Sequence, residues 1–394
     1  MDLNFTAEET AFRRDIRQWV AASLPQDIAH KVHHALHLTR DDMQRWARIL
    51  GQQGWLGHAW PKAFGGPGWN AVQRHLFEEE CALAGAPRVP PFGPVMVAPV
   101  IMTFGSPAQQ QRFLPGIASG NVWWSQGYSE PGSGSDLASL QCKAERRGDY
   151  YLVNGQKTWT TLGQYGEWIF CLVRTSSAGK PQTGISFLLI DMKSPGVSVR
   201  PIVMLDGSLE VNEVWFDNVE VPADQLIGEE NKGWTYAKHL LSHERTNIAD
   251  VNRSKRELER LKRIAQAEGV YDDMRFRDQI ALLEVDIVAL EMMVLRVLSS
   301  ETSGKQSLDV AGLLKKMQRN PAALQRADDV GRRPVQPALR ARGDGSWLAR
   351  RPRWRRTLRA AGRHLFQLPQ DDDLRRQQRS AEKHRGSDGV GELT

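Results

Sequence analysis

Gln126-Gly-Tyr-Ser-Glu-Pro-Gly-Ser-Gly-Ser-Asp136 and, further along, Asn154-Gly-Gln-Lys-Thr-Trp-Thr-Thr161 decide how this chain is read. The first leaves a short apolar run, Trp123–Tyr128, and breaks into Pro, Gly and Ser. The second follows another such run, Tyr150–Val153, and opens on Asn-Gly. Similar runs recur at Trp168–Val173, Ile185–Ile190, Val197–Val203 and Val211–Val221, separated by Gly, Pro, Asn and Asp. Short alternating runs between turn-forming residues are the pattern of strands joined in sequence. The middle of the chain, 122–230, is therefore expected to be an antiparallel β-domain.

On either side the period changes to that of helices. Over residues 6–22, Phe12, Ile16 and Val20 recur on one face, and Thr6 with Glu9 gives the capping-box spacing. Helical spacing continues at 40–53, 70–84, 94–103 and 107–117, interrupted by Trp60-Pro-Lys-Ala-Phe-Gly-Gly-Pro-Gly-Trp69, which no helix accommodates. It returns from Lys232 through Arg245, Leu258–Ala267 and Phe276–Leu298. Helices, strands, helices, without βαβ alternation, predict an α+β multidomain protein. The expected domains are an N-terminal helical domain at 1–121, the β-domain at 122–230 and an incomplete C-terminal helical bundle at 231–316. A basic tail at 317–394 shows neither period and reads as disordered.

The pI near 9.3 suggests an anionic partner until the charge is located. Residues 317–394 hold 18 Lys+Arg against 9 Asp+Glu, whereas the preceding 316 residues hold 34 against 37. The body is mildly acidic, so nucleic acid is not an expected partner of it. No apolar run approaches the roughly 18 residues of a membrane span, and Met1-Asp2-Leu3-Asn4 shows no secretory leader pattern, so a cytoplasmic protein is expected. Cys81, Cys142 and Cys171 fit no metal or disulfide spacing and read as small buried hydrophobes. His30, His33, His34 and His37 have no Cys or carboxylate at ligand spacing and read as a solvated face.

Dinucleotide and P-loop fingerprints, HExxH and GxSxG are all missing from the sequence. Gly132-Ser-Gly134 alone is equally a simple turn. Taken with its surroundings, however, the chain resembles the acyl-CoA dehydrogenase family. The resemblance runs through the Gly-Gly-Pro-Gly loop, Phe113-Leu-Pro, Ser129–Asp136, Asn154–Trp159, Phe216-Asp-Asn-Val-Glu-Val-Pro222 and Gly228-Glu-Glu-Asn-Lys-Gly-Trp234, in that order. It implies FAD as cofactor, an acyl-CoA thioester as substrate and an electron-transfer flavoprotein as acceptor. A flavin held without a dinucleotide fold needs main-chain and hydroxyl donors and an aromatic wall. By resemblance, Gln126, Tyr128 and Ser129 line the isoalloxazine, Trp159 and Thr161 close the other side, and Gly134 and Ser135 lie toward the pyrophosphate, with Ser135 also bordering substrate. A core indole at Trp159 and a turn hydroxyl at Ser129 are the plain alternatives. The family often has Asn after the Trp-x-Thr segment, where this chain has Leu162.

The implied chemistry needs a carboxylate over the thioester α-carbon. His243-Glu244-Arg245-Thr246 matches the family members that place this base mid-chain before an Arg, which makes Glu244 the candidate base and Arg245 a substrate-side or geometry-holding residue. A structural ion pair between them is the alternative. Phe276-Arg-Asp-Gln279 departs from the family's Arg-x-x-Phe-Gly, which usually reaches a neighbouring subunit's FAD.

The family resemblance stops near residue 315. Yet Leu365–Glu382, LFQLPQDDDLRRQQRSAE, back-translated and shifted forward one nucleotide, can spell a segment containing Tyr-Gly-Gly-Ser-Asn-Glu, close to the family terminus. The tail is thus expected to be out of frame; a native basic tail is the alternative. Glu244 with a Gly-Gly-Ser-Asn-Glu terminus most resembles bacterial large-subunit types, similar to pimeloyl-CoA dehydrogenase, that pair with a homologous subunit. The expectation is FAD-dependent α,β-dehydrogenation by a homo- or hetero-oligomer. A catalytically silent partner subunit and a non-functional frameshifted product are the other two readings.

Overall fold

The structure, a computed structural model, describes residues 5–205, 207–247 and 251–302, with the side chains of 242–247 and 297–302 outside that description. The tail from 317 therefore lies outside the described residues. These form two compact units, one of residues up to Trp123 together with those from Tyr236, the other Trp124–Thr235.

The helical unit contains α1 (Ala7–Ser23), α2 (Gln26–His33), α3 (Arg40–Gln52), α4 (Ala71–Leu83), α5 (Ala98–Phe104), α6 (Pro107–Ala118), most of α7 (Gly233–Asn247), α8 (Val251–Ala267) and α9 (Met274–Thr302). The capping box at Thr6 and Glu9 is formed, and Ile16 and Val20 are buried beneath it. Helix α4 carries two buried acids, Glu79 and Glu80. Arg13 pairs with both, at 2.9 and 2.6 Å, and Arg17 reaches Glu80 at 2.7 Å. Lys255 of α8 pairs with Glu79 at 2.6 Å and with Glu291 of α9. This network ties α1, α4, α8 and α9, and the mutual attraction of charges so paired offsets the desolvation cost that a lone buried charge would bear alone. The loop Trp60–Trp69 is fixed by Trp60 Nε1 donating to the Pro94 carbonyl at 2.7 Å and by Trp69 packing between Trp55 and Phe77.

Helix α2 has no counterpart in the expected elements. It carries His30 and His33; His33 Nε2 lies 3.1 Å from the Ala84 carbonyl, and burial lowers its pKa. No group of side chains suited to hold a metal occurs among the described residues. Nor is any described helix long and apolar enough to cross a membrane.

The second unit holds strands β1 (Trp124–Gly127), β2 (Lys143–Arg147), β3 (Tyr150–Thr161), β4 (Trp168–Arg174), β5 (Ile185–Asp191), β6 (Val197–Ile202) and β7 (Val211–Pro222). They form one sheet in the order β1-β4-β2-β3-β7-β6, with β5 on β4. Antiparallel pairing holds for β2–β3, β3–β7, β4–β5 and β6–β7, but β1 lies parallel to β4. The chain between them, with β2 and β3 inside it, is ample for the long crossover that parallel pairing requires. Strand β2 was not expected, because Lys-Ala-Glu-Arg-Arg buries only Ala144 and shows no apolar alternation. Strand β3 runs on through Asn154-Gly155, past the end of the apolar run at Val153: the backbone bulges there, and the register with β7 shifts between Val153 and Gly155. One face of the sheet buries Tyr151, Val153, Ile169, Cys171, Leu188, Val214 and Phe216. Phe170 and Phe187 stack elsewhere in the unit at 5.8 Å, with the Tyr128 ring edge-on to both.

Candidate functional site

The two motifs that open the sequence reading meet at one place in the sheet unit. Beyond β1, Glu130 and Ser133 exchange both main-chain hydrogen bonds at 3.0 Å, closing the Pro131-Gly132 turn. Gly134, Ser135 and Asp136 then stand exposed at the tip. Ser133 and Ser139 hydroxyls bond at 2.9 Å, and Arg174 donates to the Ala138 and Leu140 carbonyls at 2.6 and 3.2 Å, fixing the return of the loop. Beyond its own chain neighbours, no atom lies within 4 Å of where a side chain at Gly134 would begin, so the tip faces open space.

The end of β3 lies alongside. Thr158 N–H donates to the Ser129 carbonyl at 2.9 Å. The register with β7 shifts a second time between Lys157 and Thr160, and within that bulge Trp159 adopts φ 60°. A left-handed backbone at a bulky residue is a strained conformation that surrounding structure must impose. Its effect is to turn the indole outward, 57% exposed, between the buried Thr158 and Thr160. Thr161 and Ser129 are half-buried, as is Gln126, which faces Phe170 in the parallel β1–β4 register. Leu162 is also left-handed, at φ 54°. Asn enters that region far more readily than Leu, which gives a conformational reason for Asn at the position this chain departs from.

Tyr128 differs from its neighbours. Its ring is buried against Phe170 and Phe187, so its side chain is not presented at the surface. Glu244 and Arg245 lie in the last turns of α7, and their side chains are outside the described residues.

Beneath the exposed segments sits a feature the sequence reading missed. Lys157 is fully buried, with Nζ 2.7 Å from Glu130 Oε1 and 3.2 Å from the Tyr128 carbonyl. Glu130 also accepts from the Gln141 and Cys142 amides, at 2.6 and 2.8 Å. Burial works against the Lys157 charge, but the Glu130 carboxylate hydrogen-bonded to it outweighs burial and holds its pKa above the usual lysine value. Both charged residues stand inside the quoted motifs, yet only their position there, not their type, hinted at a role.

An aromatic face held outward beside hydroxyls and exposed main chain suits a flat, polar-edged ring system. Ligand sites combine apolar walls with a few placed polar groups in this way. The residues present thus fit the group that the family resemblance implies. Residues 6–121 match the family model described as acyl-CoA dehydrogenase, N-terminal domain, and residues 125–219 the one described as acyl-CoA dehydrogenase, middle domain. The chain belongs to the acyl-CoA dehydrogenase family, whose members are flavin-dependent oxidoreductases. It is 37% identical over 280 residues to acyl-CoA dehydrogenase IpdE1 of Mycobacterium tuberculosis, covering 68% of this chain and 72% of that one. Acyl-CoA dehydrogenase FadE26 of the same organism is 37% identical over 257 residues, covering 63% of each. Among solved structures, the ChsE4–ChsE5 complex from Mycobacterium tuberculosis aligns at a TM-score of 0.76 and 30% identity, covering 96% of this chain and 97% of that one. The Tcur3481–Tcur3483 steroid acyl-CoA dehydrogenase aligns at 0.76 and 28%, covering 93% and 94%.

Proposed function

We propose that this chain carries out FAD-dependent α,β-dehydrogenation of an acyl-CoA thioester and passes the electrons to an electron-transfer flavoprotein. The observation that carries the flavin assignment is Trp159, turned outward by a strained backbone beside Ser129. Trp159 and Thr161 form one wall of the flavin site, and Gln126, Ser129 and the Tyr128 main chain the polar edge. Gly134 and Ser135, at the open tip, border the pyrophosphate, and Ser135 also the substrate. FAD, when bound, supplies the acceptor for the β-hydrogen, which leaves as hydride. Glu244 takes the α-proton, so the carboxylate ends protonated and the Cα–Cβ bond becomes double. Arg245 holds the geometry of that end of α7.

The two solved complexes support a hetero-oligomer with a homologous subunit, and the steroid enzyme among them makes polycyclic acyl-CoA thioesters the first substrates to assay. The departure at Phe276–Gln279 favours a second reading, a silent subunit that supports an active homologue. Reconstitution of the full chain, alone and with a homologous partner, separates the two. Glu244→Gln is expected to abolish turnover while leaving the flavin spectrum intact; turnover that survives removes Glu244 as base. An out-of-frame origin of 317–394 is tested by sequencing the DNA across codons 305–325. A base that persists there, with an intact mass of 44.4 kDa, makes the tail genuine.

A further inference from the structure

We propose that Lys157 is a positioning residue for the flavin site, acting with Glu130 as an interior latch between the Ser129–Asp136 turn and the Trp159–Thr161 bulge. The proposal rests on reading that face as the flavin site. Lys157 belongs to β3, where its neighbours are Cys142, Cys171 and the apolar face of the sheet. Packing alone would be served as well there by an uncharged side chain, since buried ion pairs seldom outperform apolar replacements of similar volume. What the ammonium adds is direction. It donates to the Tyr128 carbonyl and to Glu130, one residue on either side of Ser129. Glu130 in turn uses both oxygens on the Gln141 and Cys142 amides at the entrance to β2.

Three segments distant in sequence are thereby joined at one point. Trp159 lies two residues from that point along β3, and Ser129 stands between the two latch acceptors. Beside the latch, a main-chain bond from Thr158 to Ser129 also links the turn to the bulge. Without the ammonium, Glu130 and the Tyr128 carbonyl lose a buried donor, and the hold on the spacing of the two walls weakens.

The test uses the full chain with Lys157→Met and Glu130→Gln; the second removes the counter-charge of Lys157 and the acceptor of the Gln141 amide while keeping one oxygen for Lys157 and Cys142, and guards against a Lys157→Met protein that does not fold. Amide hydrogen exchange is measured without flavin, and FAD is then titrated with visible absorbance and visible circular dichroism as readouts. The expected result is faster exchange at 129–136 and 158–161, FAD affinity weaker by roughly 10- to 100-fold, as when a residue orienting a ligand contact is lost, and an altered dichroic band of the bound flavin. A lower unfolding midpoint with unchanged FAD affinity and dichroism would mean that the pair only stabilises the domain, and overturns the proposal. If the wild-type chain takes up no FAD, the flavin reading fails. Unchanged exchange in the variants overturns the latch independently of that result.

Discussion

Replacing Gly155 with Ala should damage the sheet unit out of proportion to the one methyl added. Gly155 sits at φ +146° in the bulge that carries β3 toward Lys157. Residues with a side chain are all but excluded from that region, and holding one there costs about 1–3 kcal/mol. The added Cβ would also fall 2.7 Å from Cys142 Cα and 3.0 Å from its Cβ and Sγ. Cys142 cannot easily retreat, because its amide is held by Glu130 at 2.8 Å and its carbonyl by the Arg174 amide at 2.7 Å. Overpacking of this kind costs a further ~1–3 kcal/mol. Together these give about 2–6 kcal/mol, a large share of a domain's whole stability. Chemical denaturation of the full chain reads this as a lower midpoint, with the slope compared to detect loss of a single transition. The control is Gly134→Ala, where nothing lies within 4 Å, with an expected change below about 0.5 kcal/mol. A Gly155→Ala protein within about 1 kcal/mol of wild type would refute the steric and conformational reasoning together.

Trp159→Ala separates ligand contact from stability. The indole is 57% exposed, so its removal should change stability by less than about 1 kcal/mol while FAD titration shows clearly weaker binding. Equal FAD affinity in that variant would remove Trp159 from the flavin wall. Asp42, three residues after the Thr39 cap of α3 and paired with it in a capping box, predicts an acid transition. Burial alone would raise its pKa, but Lys31, at 2.7 and 2.8 Å, and Thr39 outweigh it and bring the carboxyl down to about 2. Because the folded value lies below the unfolded one, its stabilisation is complete above about pH 4 and is lost as the pH falls toward 2. Asp42→Asn should therefore be less stable than wild type at neutral pH, with the difference closing between those limits. A difference that stays constant with pH would show that the Asp42 charge contributes nothing.

The capping boxes, the helical periods and the short turn-bounded strands are local properties, and they were legible in residues a few positions apart. That is why Thr6 and Glu9 located the start of α1, and why most helices and strands fell where their periods placed them. The order of motifs identified the family for the same reason: each motif is a compact run of residues that needs no partner to be recognised. The residues proposed for the flavin, the half-buried Ser129 and Thr161 and the exposed Gly134, Ser135 and Trp159, were named from those runs through the family resemblance. Beyond that, pairing and burial over long separations took over. The parallel alignment of β1 with β4 depends on where the intervening strands go, and β2, mostly charged, is a strand because β3 pairs along its length and β4 meets it at Lys143. Asn154-Gly155 has the composition of a turn, yet β7 on one side and Cys142 on the other make it a bulge. Lys157 and Glu130 read as surface charges in any local window. It took the folded sheet to enclose them together, because a charge enters a protein interior only when its counter-charge and donors arrive from other parts of the chain.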